Sequence, residues 1–208
     1  MVGHFSKDIR MAIIVDKVQK RKDIALSCKE LFFQNGINDL TISQVAKTAG
    51  VGKGTIYEYF KNKEEIVFEI VNILLQEHNI DKKARIDAKS STKEKIIEFF
   101  GVFYREEDSE LRELYKEFIS ISLSNPQREM IEFQSKCTQS YFEWFNDIIQ
   151  DGIDKAELLE NSKDLARGLF VFGEGIFISS VVTTTIEDVK SEIDKFIDTV
   201  FKFIEVKR

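Results

Sequence analysis

From Thr41 to Lys63 the chain reads TISQVAKTAGVGKGTIYEYFKNK, and the hydrogen-bond donors in it are spaced for one kind of chemistry. Lys53, Thr55, Tyr57 and Tyr59 fall around the surface of a short helix whose inner face is set by Ile56 and Phe60, four residues apart. A helix of this kind fits the major groove of B-form DNA. There a lysine donates to guanine O6 and N7, and a threonine or tyrosine reaches phosphate oxygens or the thymine methyl. Lys53 is the residue placed to read a base. Thr41, Ser43, Tyr57, Tyr59, Lys61 and Lys63 have the right chemistry, at the helix ends, to hold phosphates. The amides and positive dipole end of a further helix starting at Lys63 add to that attraction. Glu58 is the one acid on the face and is expected to point along the groove rim into solvent.

Local signals fix the elements that would carry these groups. Thr41 and Gln44 have the spacing of a capping box, and Leu40 and Val45 are placed as its hydrophobic staple, so a helix starts near Ile42. Gly50 and Gly52 bracket Val51 and end that helix, because glycine adopts the left-handed conformation without a steric penalty. Lys53 to Tyr59 then forms a second short helix, which makes a helix-turn-helix. Asn62, with Glu65 three residues on, caps a third helix beginning at Lys63.

The segment from about Lys20 to Lys63 resembles the DNA-binding domain of the tetracycline-repressor (TetR) family. The resemblance rests on Leu31 and Phe32 before Gly36, the Gly50–Val51 turn, Lys53-Gly54-Thr55, Tyr57, Tyr59-Phe60 and Lys61-Asn62-Lys63. It implies that Gly54 and Thr55 belong with the residues already named at the DNA surface. Gly52 departs from the pattern, since family members often carry serine or another polar residue there, and that weakens one phosphate contact at the turn.

Composition agrees with this reading once the charge is divided. The 208 residues carry a net charge of −6. Residues 1–63 hold 11 Lys+Arg against 6 Asp+Glu, a charge of +5, whereas residues 64–208 hold 19 against 30, a charge of −11. The basic part holds the motif, and an acidic remainder repels DNA and is free for another task. One proline, ten glycines and 43% hydrophobic residues with 18 Phe point to an all-α protein with a substantial core. Cys28 and Cys137, far apart among apolar residues, read as small core residues of a reducing compartment. With only His4 and His78 there is little material for a metal site or a Ser-His-Asp arrangement, so no cofactor, metal or catalytic residue is expected. No signal peptide and no stretch of 18 uncharged apolar residues is found, which predicts a cytoplasmic protein without a membrane span.

The rest of the chain reads as helices in series. Residues 1–15 carry no cap signal and read as an arm or an added first turn. A first helix is expected from about Asp16 to Gly36, with Lys17, Lys20, Arg21 and Lys22 near its start available to phosphates. A helix striped by Ile66, Ile70, Ile73 and Leu74 should run from Lys63 to about Ile80, followed by a loop from Asp81 to Ser90. Ser91 and Glu94 cap a helix to about Glu106. Another spans Ser109 to Leu123, Asn125-Pro126 breaks it, and a long helix with Pro126 in its first turn reaches Gly152. After a polar connection, Asp164–Val182 is apolar all round and needs cover on every side. Ile186–Val206 is the last helix.

The resulting expectation is an N-terminal three-helix helix-turn-helix DNA-binding domain, residues 1–63 with the arm, followed by a C-terminal helical domain for ligand binding and dimerisation, residues 64–208. The resemblance implies an inducer pocket in the middle of that second domain, lined by Phe99, Phe103, Phe118, Phe133, Gln134, Cys137, Tyr141 and Trp144. Gln134 and Tyr141 are its polar members, and Glu174 serves either the dimer seam or a cationic ligand. It also implies that the last two helices pair with those of a second copy. Two reading heads about 34–36 Å apart then address a palindrome in double-stranded DNA. A small hydrophobic or amphipathic effector would release that operator; the alternative is a body that docks a protein partner.

Overall fold

A computed structural model of the chain describes residues 5–124 and 126–207, with side chains from Asp16 onward apart from Asn38. Met11 to Val15, His4 and Asn125, to which the sequence reading gave roles, therefore lie outside the residues whose side chains are described. Ten α-helices follow one another among the described residues. They are α1 (Phe5–Ser27), α2 (Lys29–Asp39), α3 (Ile42–Thr48), α4 (Lys53–Tyr59), α5 (Lys63–Asp87), α6 (Thr92–Phe99), α7 (Ser109–Ser124), α8 (Arg128–Asp154), α9 (Ser162–Val182) and α10 (Val189–Ile204). Two 3-10 turns, Phe100–Phe103 and Glu106–Asp108, link α6 to α7. The chain divides into two compact units, residues 1–76 and 77–208.

In the first unit the capping signals act as the sequence predicts. The Thr41 hydroxyl accepts from the Gln44 amide at 3.3 Å, and the Gln44 side chain accepts from the Thr41 amide at 2.9 Å. Gly50 takes φ +66°, the left-handed conformation, which lets the Val51 amide turn back to the Ala46 carbonyl at 3.0 Å and closes α3. The Asn62 side chain accepts from the Glu65 amide at 2.9 Å and opens α5. Ile24, Cys28, Phe32, Leu40, Val45, Ile56, Phe60, Ile66 and Ile70 are buried together as the core of this unit.

Four boundaries differ from the sequence reading, each for a local reason. The first helix is two: it starts at Phe5 and is interrupted at Cys28, whose backbone leaves the helical region at φ −99° and ψ 1°, while Gly36 at φ 71° kinks α2. The loop expected at Asp81–Ser90 is helix as far as Asp87, because Lys82 and Ile86, four apart, both turn inward and are buried. The helix expected to reach Glu106 ends at Phe99 and tightens into 3-10 turns. Pro126 precedes the Gln127 cap of α8 instead of occupying its first turn.

The second unit is held by aromatic rings. Phe99, Phe100, Phe145, Phe170 and Phe201 are buried in one cluster with Ile96, Ile148, Ile149, Leu169, Ile193 and Ile197. Phe99 packs edge-on to Phe100, Phe145, Tyr141 and Trp144 at centroid distances of 5.1–6.4 Å. Such pairs prefer edge contact because ring faces are negative and ring edges positive. Helix α9 buries Ala166, Leu169, Phe170, Gly173 and Phe177 in this core and leaves Leu165, Val171, Val181 and Val182 exposed, the last at 70%. That outer face is left uncovered by the described residues of the chain. In length and mean hydropathy, 1.6, α9 is the one described helix that could cross a membrane, a candidate the sequence reading did not find.

Gly173 is where this packing has least room. A Cβ built there lies 2.5 Å from two carbons of the Phe100 ring and 3.1 Å from Phe103. Phe100 is itself fully buried and cannot yield. Gly173→Ala should cost about 1–3 kcal/mol of stability through overpacking, read as a lower urea midpoint by far-UV circular dichroism; an unchanged midpoint would show that the core is looser than these distances require.

Candidate nucleic-acid interface

The helix that carries the predicted contacts is only seven residues long, so its own backbone bonds cannot hold it. Its inner face does. Ile56 and Phe60 are buried, the Ile56 amide bonds the Gly52 carbonyl at 3.2 Å, and the Phe60 amide bonds the Ile56 carbonyl at 2.9 Å. With those two side chains turned inward, Lys53, Gly54, Tyr57 and Glu58 are turned out to solvent, Tyr57 with 59% of its surface exposed. Thr55 and Tyr59 lie between, half-buried. A Cβ on Gly54 would meet nothing within 4 Å, which marks an open approach to that face.

Around α4 the remaining candidates divide by exposure. Thr41 and Ser43 at the start of α3 are exposed, and the Thr41 hydroxyl also donates to Gln44 at 2.6 Å, so part of its hydrogen-bonding capacity is used by the cap. Lys61 is exposed, with its Nζ 3.9 Å from Glu65. Lys63, first residue of α5, is half-buried and engaged with neighbouring groups. Gly52, as cap of α4, provides no side-chain acceptor for the first amides of that helix.

Arg21 is the residue whose role the sequence obscured. Its position beside Lys17, Lys20 and Lys22 suggests a phosphate-seeking charge, and Lys17 and Lys20 are exposed. The Arg21 guanidinium instead turns inward. Its Nη1 donates to the Tyr59 carbonyl, its Nε donates to Glu69 at 2.9 Å, and its carbon lies 4.1 Å from the centre of the Phe60 ring. One side chain thus caps the C-terminal carbonyl end of α4 and covers the ring that anchors it, while Glu65 and Glu69 of α5 hold the guanidinium in place. No periodicity marks such a residue, because its partners lie 38 and 48 positions away.

In the second unit the eight residues predicted to line a pocket fall into separate groups. Phe99, Tyr141 and Trp144 meet, with Lys82 Nζ 4.0, 5.2 and 5.5 Å from their ring centres and the Tyr141 hydroxyl donating to Asn79 at 2.6 Å. Phe118 and Phe133 pair at 5.8 Å between α7 and α8, and Gln134 donates to the Phe118 carbonyl and the Ser122 hydroxyl. An open groove of about 380 Å³ runs beside them, lined by Ser122, Ile131, Gln134, Ser135, Thr138 and Gln139. Phe103 joins the Phe99 group through Phe100, 6.4 Å away, and stacks on Phe177 at 5.5 Å, while Cys137 lies half-buried on α8 with its thiol pushed up by burial. Glu174, half-buried, accepts from Tyr115; burial raises both groups. Among the described residues no set of three or more His, Cys, Asp or Glu side chains is arranged to hold a metal ion.

Residues 28–70 match the family described as bacterial regulatory proteins, tetR family. A regulator from Bacillus subtilis, the uncharacterized HTH-type transcriptional regulator YhgD, is 47% identical over 60 residues, which are 29% of this chain and 31% of that protein. The match thus spans about a third of that relative's length. The fatty acid metabolism regulator protein of Bacillus subtilis is 26% identical over 172 residues, 81% of this chain and 84% of that protein. The solved structure of the transcriptional regulator FadR from Bacillus subtilis in complex with stearoyl-CoA superposes with a TM-score of 0.65 at 22% identity, covering 86% of this chain and 96% of that one.

Replacing Arg21 by methionine keeps the stem over Phe60 and removes the charge and the bond to Tyr59. Partly buried bonds to a charged group contribute about 1.5–3 kcal/mol, so the Phe60 amide, which closes α4, should exchange hydrogen about tenfold faster or more. Native-state exchange measured by NMR checks this; unchanged protection at Phe60 would mean that Arg21 does not hold the helix.

Proposed function

We propose, from the premise that the chain belongs to the tetR family of bacterial regulatory proteins, that it is a homodimeric repressor that grips a palindromic operator with two copies of α4 and releases it when a small molecule binds. Residues 1–63 are the DNA-binding part and residues 64–208 the regulatory and dimerising part. Such a protein works in the cytoplasm, where its DNA is, and needs neither a membrane nor a cofactor.

One observation carries the reading. Helix α4 presents Lys53, Gly54 and Tyr57 to solvent on a body anchored by Ile56 and Phe60, the arrangement a groove-reading helix requires. Lys53 reads base edges, Thr55 contacts the groove wall, and Thr41, Ser43, Tyr57, Tyr59, Lys61 and Lys63 hold phosphates on either side. The charge of the first 63 residues, +5, draws DNA to this end, and the charge of the rest, −11, keeps it from the other.

Dimerisation is supported by the outer face of α9, where Leu165, Val171 and Val182 are exposed, and by Phe203 on α10, 72% exposed. An apolar surface of this extent is unfavourable in water, and a second copy is the partner a palindrome demands. The effector reading draws on the ring-lined interior of the second unit and on relatives that are a fatty acid metabolism regulator and a regulator solved with stearoyl-CoA. An effector with a long apolar chain suits such an interior. Its entry between the aromatic helices displaces α5, which begins at Lys63, and the two copies of α4 leave their half-site spacing. A coupling of about 1–3 kcal/mol is enough for control.

Fluorescence anisotropy on a duplex selected from a random pool tests the assignment. Lys53→Ala should weaken binding about tenfold or more and relax the preference at one base position, whereas Tyr57→Phe should weaken all sequences equally. If neither variant changes affinity while both keep native far-UV spectra, α4 is not the reading helix.

A further inference from the structure

The second unit buries a cation that pairs directly with none of the described carboxylates. Lys82, on α5, is 2% exposed. Four cations cluster here: Lys82 and Arg85 on α5, Lys89 just beyond its end, and Arg105 in the turns after α6. Arg85 pairs with Glu98 at 3.0 Å and with Asp108 at 3.8 Å, Lys89 with Glu98 at 3.3 Å, and Arg105 with Glu98 and Glu107. Asp108 is further engaged by His78 Nδ1 at 3.0 Å. For Lys82 no carboxylate lies within ion-pair reach among the described residues, and its ammonium instead faces the rings of Phe99, Tyr141 and Trp144. Ring faces offset part of the lost hydration of an ammonium, but less than an anion would.

We propose that Lys82 is the head-group contact for the effector: an amphiphile with a singly charged anionic head, such as a carboxylate, pairs with the Lys82 ammonium while its apolar chain lies against Phe99, Tyr141 and Trp144. This rests on the effector reading given above and assigns the sign of the ligand's charge. A cationic amphiphile is disfavoured by the same geometry, since the ammonium of Lys82 already faces the three rings and the positive charge of Arg85 also acts there.

Binding of this kind is coupled to protons. Burial, opposed by Asp108 and Glu98 and assisted by Arg85, pushes the Lys82 pKa down to about 7. The titratable and charged groups around it are His78 and Arg85 on α5, Lys89 just beyond its end, Glu98 on α6, Arg105 and Asp108 in the following turns, and Cys137 and Tyr141 on α8; burial holds Tyr141 above its ordinary range, so it stays protonated. An anion beside Lys82 raises its pKa toward the ordinary lysine value. Affinity for the anion is then greatest below about pH 7, where the free lysine is already charged, and declines as pH rises through that value, by at most tenfold per pH unit.

The test uses dodecanoate, dodecanol and dodecyltrimethylammonium below their micellar concentrations, titrated calorimetrically into the full chain. At pH 8 dodecanoate should bind at least tenfold more tightly than either of the other two and should take up close to one proton, seen as a dependence of the heat on buffer ionisation. Lys82→Met, which keeps an apolar chain against the rings, should erase the preference for dodecanoate and leave dodecanol binding unchanged; Lys82→Arg should keep the preference. Equal binding of dodecanoate and dodecanol by the wild type, or a preference that survives Lys82→Met, overturns the assignment of Lys82 while leaving the effector reading in place. Binding of none of the three removes both. Should Lys82→Met fail to fold, proton uptake by the wild type decides: none at pH 8 overturns the proposal.

Discussion

The candidate nucleic-acid interface depends on how a two-turn helix is kept still. Seven residues cannot sustain a helix in water, because the cost of nucleating it exceeds what its few backbone bonds return. The missing stability comes from Phe60, buried in the core of the first unit on one side and covered by the Arg21 guanidinium on the other. Arg21 also satisfies the carbonyl of Tyr59 at the helix end, and two glutamates of α5 hold Arg21. The proposed reading surface can be as small and exposed as Lys53, Gly54 and Tyr57 only because the inner face of α4 is fixed this firmly.

A different constraint rules the rest of the chain. Residues 64–208 are strongly acidic overall, yet four cations gather around Glu98 and Asp108 at its interior edge. Burying ion pairs is costly unless each member is matched, and here Lys82 has no carboxylate within ion-pair reach among the described residues, while Arg105 Nε and Asp108 Oδ2 are buried without a hydrogen-bond partner. Helix α9 has the opposite character: it buries one apolar face well and leaves a second apolar face open. Both features are unfavourable in an isolated chain, one electrostatically and the other by hydration, and the proposed ligand and second copy relieve them in turn.

The elements legible in the sequence were those defined by near neighbours. Thr41 with Gln44, Asn62 with Glu65, Ser91 with Glu94 and the left-handed Gly50 all act within a few residues, and each is formed as its spacing implies. What escaped notice depends on long-range partners or on a polar residue in an apolar place. Helix α5 looked finished at Ile80 because the next inward position is a lysine, and a charged residue reads as solvent-facing until its ring cage is seen. Arg21 looked like one of four similar basic residues for the same reason. The aromatic residues of α6 to α8 lie on apolar faces as their spacing implies, but which ring meets which is decided by helix crossings that no single segment encodes: Phe99, Phe103, Tyr141 and Trp144 gather at one core, and Phe118, Phe133 and Gln134 meet apart from it.

At the centre of the account is a pair of short helices reading two half-sites together. Native mass spectrometry of the protein on a selected duplex, compared with the same duplex cut to one half-site, tests this most directly. The account predicts an even number of protomers on the full palindrome and a loss of affinity of at least a hundredfold on the half-site. A single protomer bound as tightly to the half-site as to the whole would contradict it.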